Sequence, residues 1–235
     1  MEPAPDGLQE VLKALEPLVT AASRQGDSRL PPERDLALQL GVPRRRLRLA
    51  LDHLRQRGAI FRRHGQGTFV APPPHPDRGR HRMLAGKLDL GQLMDVRLQI
   101  EPRLAELATL NATDGDLEQL AVLTRNTREA QSPQEYDLAD EVFHYRIAEL
   151  ADNPLFLEIY DLIREMRREA GWRERREETH DPTLIAILAE QHQRVFDAIA
   201  RRDHLAAAAE VARHLRYVAE AIRSRNIDAE NTSGR

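Results

Sequence analysis

The chain has 235 residues and a net charge of −3; 41% of its residues are hydrophobic and 31% charged, as in soluble, folded, rather helical proteins. The absence of cysteine excludes a disulfide framework and thiolate chemistry. There is no leader-like N-terminus and no uncharged apolar run near the roughly 18 residues of a membrane span, so we expect a cytoplasmic protein without membrane contact.

The first predicted element is a helix over residues 8–22, where apolar side chains recur at helical spacing. Pro17 falls inside this pattern. Because proline has no N–H and clashes with the preceding turn, the helix is expected to be kinked there or broken in two.

Two short helices separated by a glycine are predicted next. The first starts at Pro31-Pro32-Glu33, since proline and an acidic residue both favour a first turn, and it stops at Gly41. The second begins at Pro43 or Arg44, extends to Arg57 and ends at Gly58. Two helices joined by such a turn form a helix-turn-helix.

A β-hairpin is predicted directly after these helices, with strands at residues 60–63 and 68–70 around a glycine-rich tip. This order of elements is that of a winged helix. Residues 29–63 also contain ten arginines against three acidic residues, a formal charge of +7, so the other 200 residues carry −10. A basic window in an acidic chain indicates a polyanionic partner; an ordinary solvated surface is the alternative.

The proline-rich stretch APPPHP at residues 71–76 marks a domain boundary, because it can continue neither a helix nor a central strand. We place the winged helix at residues 1–72, a linker at 73–88 and a second domain at 89–235. The second domain is predicted to be an antiparallel all-α bundle of six helices, or seven if the linker adds one, and the chain to be mainly α. The predicted helices span about 89–110, 116–131, 134–151, 154–177, 182–201 and 203–224.

Polar residues interrupt the apolar stripes of three of these helices. His192 and His214 occupy core positions equally far from the turn at about Asp203, so an antiparallel hairpin brings both imidazoles to one height. Asp140 and His144 are four residues apart on one helix face. Three imidazoles and one carboxylate suit Zn²⁺, Ni²⁺, Co²⁺ or Mn²⁺ and leave positions open for a ligand. Alternatively, each histidine is a core residue satisfied by one hydrogen bond.

Two further charged features lie in the second domain. Arg97 sits within an apolar stripe, where its simplest partner is Glu101, four residues on. The charges of residues 164–178 alternate in sign along a helix and predict a solvated face, and Trp172 within that run lines either the pocket or a dimer contact.

The segment LPPERDLALQLGVPRRRLRLALDHLRQRGAIFRRHGQGTFV resembles the DNA-binding signature of the GntR family of transcription factors, a resemblance that covers about residues 8–71. Arginine suits bidentate recognition of guanine and pairing with phosphate. Relatives usually carry Ser or Thr where Pro43 stands, so their operator preference is not transferred. The resemblance implies that these residues lie at the DNA: Arg34, Arg44, Arg45, Arg46, Arg48, His64, Gly65 and Gln66.

Residues 92–222 are similar to the FadR-type C-terminal ligand-binding (FCD) domain of one GntR subfamily. The matching motifs are Asp140-x-x-Phe143-His144, Gln191-His192 and His214-Leu215. The resemblance implies that the aspartate and the three histidines hold a divalent metal, whose coordination a small carboxylate effector completes. Arg97 and Glu101 match the family's RxxxE, whose arginine faces the pocket and can clamp a carboxylate.

We therefore expect a transcription regulator, by family analogy a repressor, that binds double-stranded operator DNA and responds to a small organic acid. A winged helix covers one half-site, which predicts a homodimer on a palindromic operator. Two alternatives remain: a regulator whose polar cluster is purely structural, and a metal-dependent hydrolase with a DNA-binding appendage. The hydrolase is disfavoured because no second carboxylate is well placed as a general base, and no catalytic residue is assigned.

Overall fold

The structure is a computed structural model that describes residues 7–23, 28–63, 67–72, 83–169 and 182–233. It divides into two compact units, Met1–Pro73 and Pro74–Arg235. The predicted mainly helical class is confirmed. Among the described helices, none has both the length and the apolar character needed to cross a membrane. The linker at 73–88 stays a prediction, although residues 83–85 within it form a single helical turn.

The first unit is the predicted winged helix. Helices α1 (Leu8–Ser23), α2 (Glu33–Leu40) and α3 (Arg44–Gln56) precede a hairpin of β1 (Phe61–Arg63) and β2 (Gly67–Phe69). The strands pair antiparallel, with Phe61 opposite Phe69.

Glycines in the left-handed region follow both helices of the helix-turn-helix, as their sequence positions predicted. Gly41 has a φ of 63° after α2, and Gly58 has a φ of 67° after α3. α3 packs on α1 and α2 through its buried side chains, and its arginines face away from that core. The unit's small core therefore fixes which side of α3 is left exposed.

Pro17 lies inside α1, which continues through it to Ser23 and is not broken in two. Val11 and Leu15 before the proline and Ala22 after it are all buried in one hydrophobic core. Packing on both sides of Pro17 therefore outweighs the backbone hydrogen bond that the proline lacks.

The second unit is a helical bundle built around α4 (Leu90–Asn111), which packs against four of the other helices. Capping boxes begin two of the helices: Asp89 with Gln92 for α4, and Thr113 with Asp116 for the next helix. The remaining helices are α5 (Asp114–Glu129), α6 (Pro133–Leu150), α7 (Pro154–Glu169), α8 (Pro182–Ala200) and α9 (His204–Ser233).

Candidate metal centre and nucleic-acid interface

Four buried polar side chains from α6, α8 and α9 converge in the second unit: Asp140, His144, His192 and His214. None is more than 3% exposed. Each offers one ligand atom, and these atoms all lie within 4.8 Å of one another. The structure thus brings together the four residues that the sequence singled out.

The imidazoles crowd around one carboxylate oxygen. Nε2 of His192 lies 3.4 Å from Oδ1 of Asp140, and Nε2 of His144 lies 3.7 Å from it. The ring centroids of His192 and His214 are 4.7 Å apart. Burial, together with the neighbouring histidines, lowers the pKa of His214 well below its usual value. This imidazole therefore stays neutral, which is the form that binds a metal.

Three members of the cluster also contact a residue outside it, through a ring nitrogen or a carboxylate oxygen. Oε1 of Gln191 lies 2.9 Å from Nδ1 of His214, and Oε2 of Glu101 lies 3.3 Å from Nδ1 of His144. Arg167 donates from Nη2 to Oδ2 of Asp140 at 3.0 Å. A hydrogen bond at Nδ1 fixes the tautomer that leaves Nε2 available as an acceptor.

The surroundings of Nε2 of His144 indicate whether the cluster suits a cation. This atom is buried and has no hydrogen-bond partner among the residues that the structure describes. An unpaired buried polar atom is costly, so the hydrogen bonds of the described residues account for Nδ1 of this histidine but not for its Nε2. Three imidazoles and one carboxylate are donors that borderline divalent ions accept. The residues present therefore fit such an ion.

Arg97 lies beside this cluster on α4 and is 2% exposed. Its Nε donates to Oε1 of Glu101 at 2.5 Å and its Nη2 to Oε2 at 3.3 Å. Burial raises the pKa of Glu101, but the charge of Arg97 and the hydrogen bonds from His144 and Arg97 outweigh it and hold that pKa at about 2. Sequence reasoning paired Glu101 with Arg97 and missed its contact with His144, which joins the ion pair to the cluster.

The charged run on α7 is buried where the structure describes it, so the predicted solvated face is wrong for residues 164–167. Arg164, Glu165 and Arg167 are at most 7% exposed. The carboxylates of α6 hold this helix: Asp140 accepts from Arg167, and Glu141 accepts from Arg164 and Arg168. Alternating charge here serves an interface between two helices. Trp172 lies outside the described residues.

The exposed side of α3 is a second candidate surface. Its first five positions include four exposed arginines: Arg44, Arg45, Arg46 and Arg48. Pro43 is the N-cap and makes no side-chain hydrogen bond, so no cap competes for the first N–H groups of the helix. A helix N-terminus carries partial positive charge, which adds to that of the guanidinium groups. The surface therefore suits a polyanion such as a phosphate backbone.

Carboxylates already contact two of the predicted arginines. Nε of Arg48 donates to Oε2 of Glu33 at 2.8 Å, and Nη2 of Arg62 donates to Oε1 of Glu33 at 2.7 Å. Arg34 pairs with the adjacent Asp35 at 3.3 Å. These pairs are partly solvent-accessible, so each contributes about 1 kcal/mol or less to stability. The predicted wing-tip residues His64, Gly65 and Gln66 lie outside the described residues.

Comparison with known proteins assigns both units. The bacterial regulatory proteins of the GntR family match residues 8–70, and the FCD domain matches residues 92–217. The regulatory protein assigned to the L-lactate dehydrogenase operon of Escherichia coli K12 is 30% identical over 223 residues, covering 89% of this chain and 83% of that protein. The regulator LutR of Bacillus subtilis is 26% identical over 193 residues, covering 80% of this chain and 88% of its own length. The solved structure of Escherichia coli McbR/YncC covers 93% of this chain and 98% of its own, with a TM-score of 0.53 and 20% identity, so it shares the fold.

Proposed function

The chain belongs to the GntR family and carries an FCD domain, so it is a DNA-binding transcription regulator, and from that premise we propose that a small carboxylate effector controls it through a divalent metal. The observation that carries this proposal is the buried cluster of three histidines and Asp140 beside the Arg97–Glu101 pair. The relatives are regulators and not enzymes, so the hydrolase alternative is set aside.

The proposed metal ligands are Asp140, His144, His192 and His214, with Zn²⁺, Ni²⁺, Co²⁺ or Mn²⁺ as the ion. When bound, the ion would supply a Lewis acid with open coordination positions for a carboxylate. This chain's own residues prepare the site: Glu101 and Gln191 fix the orientation of two imidazoles. Arg167 neutralises the far side of the Asp140 carboxylate.

Arg97 is the side chain that we propose binds the effector together with the metal. Its Nη1 donates to the sulfur of Met94 at 3.7 Å, and a thioether is a weak acceptor. A carboxylate oxygen from an effector would replace that contact with a stronger, charge-assisted hydrogen bond. Because the Escherichia coli relative is named for an L-lactate dehydrogenase operon, we place lactate and other small organic acids first among the effectors to be tried.

A purely structural ion is the second candidate, and the near-complete burial of all four ligands favours it. Thermal melts separate the two. We expect the divalent ion to raise the Tm, and one acid from the panel to raise it further only when metal is present. At 100 times its Kd such an acid adds about 2.7 kcal/mol. A Tm that responds to metal and to no acid would support the structural ion and contradict the effector proposal.

For the DNA-binding surface, we expect Arg45→Ala/Arg46→Ala to weaken binding to an operator duplex by about 10- to 1000-fold near 0.1 M salt. Each lost base contact costs about 1–3 kcal/mol, and each lost phosphate contact flattens the salt dependence by about 0.9. Fluorescence anisotropy over a salt series measures both quantities. The matched control is Arg213→Ala/Arg223→Ala, which removes two exposed arginines of α9. Equal losses in the two variants would mean that α3 acts only through net charge.

The proposed assembly is a homodimer on a palindromic operator, because one winged helix covers only a half-site. We propose a repressor located in the cytoplasm. Analytical ultracentrifugation with a duplex carrying one or two half-sites tests the stoichiometry: two chains are expected on the full site. A single chain bound with full affinity to the full site would contradict the dimer.

A further inference from the structure

Tyr160 on α7 is a buried tyrosine that the site described so far does not use. The side chain is 1% exposed, and its hydroxyl has no hydrogen-bond partner among the residues that the structure describes. Buried hydroxyl groups normally find a partner, since an unmade hydrogen bond inside a protein is destabilising. The hydroxyl of Tyr160 is therefore a donor in need of an acceptor.

The position of Tyr160 ties it to the cluster. Seven residues separate it from Arg167, so both lie on one face of α7, and Arg167 donates to Asp140. The ring centroid of Tyr160 also lies 6.3 Å from that of Tyr145, which follows His144 on α6. Burial raises the pKa of Tyr160, so the hydroxyl keeps its proton and remains a donor.

The carboxylates near Tyr160 are already engaged with other groups. Both oxygens of Glu101 contact Arg97 or His144. Asp140 accepts from Arg167 through one oxygen and faces the imidazoles with the other. Neither carboxylate therefore needs a further donor, and the hydroxyl is left for an acceptor that the described residues do not supply.

We propose that Tyr160 is a specificity-determining residue of the effector site, and that its hydroxyl donates a hydrogen bond to a hydroxyl or keto oxygen of the acid. The inference rests on the proposed function, which places the carboxylate of the effector at the metal and Arg97. It goes further by assigning the chemical class of the ligand: an acid with a second, uncharged oxygen near its carboxylate. Such a site rejects an acid that lacks this oxygen, because the tyrosine is then left unpaired.

The test uses the full chain loaded with metal and three pairs of acids that differ by one oxygen: L-lactate and propionate, glycolate and acetate, L-malate and succinate. Calorimetry measures Kd for wild type and for Tyr160→Phe, which removes only the hydroxyl. We expect wild type to prefer the oxygenated member of at least one pair. Tyr160→Phe should lose about tenfold in affinity for that member and less than about twofold for its partner.

Two controls keep the outcomes distinct. Tyr145→Phe removes the hydroxyl of the neighbouring tyrosine, whose ring centroid lies 6.3 Å from that of Tyr160, and it should keep the wild-type preference. The metal content of Tyr160→Phe should equal that of wild type. If wild type binds an acid and Tyr160→Phe retains the full preference, buried water satisfies the hydroxyl and the assignment of Tyr160 is overturned. If wild type binds none of the six acids, the effector proposal for this panel fails, and Tyr160 with it.

Discussion

Replacing His192 and His214 together by alanine is expected to abolish divalent metal binding, from about one ion per chain to none. The two imidazoles come from α8 and α9, so their loss leaves only Asp140 and His144, both from α6. Two donors from one helix do not make the four-donor set that borderline divalent ions favour. Elemental analysis of protein purified without an affinity tag measures the ion directly.

Three further measurements make this result decisive. His53→Ala/His204→Ala also removes two histidines but leaves the cluster intact, and it should bind metal like wild type. Circular dichroism of each variant separates loss of metal from loss of fold. A chelator should destabilise wild type by about 4 kcal/mol if metal was present at 1,000 times its Kd, and should leave the double variant unchanged. Metal retained by the double variant would disprove the ligand assignment.

Replacing Arg97 by methionine is expected to destabilise the second unit by about 3–5 kcal/mol, because it leaves the buried carboxylate of Glu101 without its main partner. Urea unfolding with excess metal measures the loss. Adding Glu101→Gln removes the stranded charge and keeps an oxygen for His144, so the double variant should recover most of the stability. Destabilisation that is simply additive would show that the ion pair is not the cause.

The pH of that measurement follows from the sign of the pKa shift. Glu101 ordinarily titrates near 4.5 and is held at about 2 in the folded protein. The stabilisation from its ionised form is therefore fully present above pH 4.5 and is lost as the pH falls toward 2. Unfolding at pH 7 reports all of it. The double variant then serves as a folded reference in which the contribution of Arg97 to acid binding is measured.

The helices of the winged helix could be predicted almost to the residue because glycine or proline residues mark where they begin and end. Gly41 and Gly58 stand where the chain must adopt positive φ, and Pro32 stands where an N–H is dispensable. The end of α9 was predicted too early, at about residue 224. Apolar periodicity stops at Ile222, but the next glycine is Gly234, and the helix extends to Ser233.

The site was predictable where a polar residue replaces an apolar one in a regular stripe, which is how the three histidines and Asp140 stood out. The contacts that other residues make with these four side chains were not predictable. Glu101 contacts His144 from α4 and Arg167 contacts Asp140 from α7, and the rotation of those helices is set by packing rather than by their own sequence pattern. On α7 a charged run was interpreted as solvent-facing because the sequence alone does not show the carboxylates of α6 across the interface.

Glu33 has a practical consequence for redesign. Its single carboxylate joins α2 to both Arg48 on α3 and Arg62 on β1. If α3 alone were moved into another scaffold, Arg48 would lose the carboxylate of Glu33. Grafts intended to change the operator that is bound should therefore transfer residues 33–62 as one block, which keeps the contacts of Glu33 with both Arg48 and Arg62.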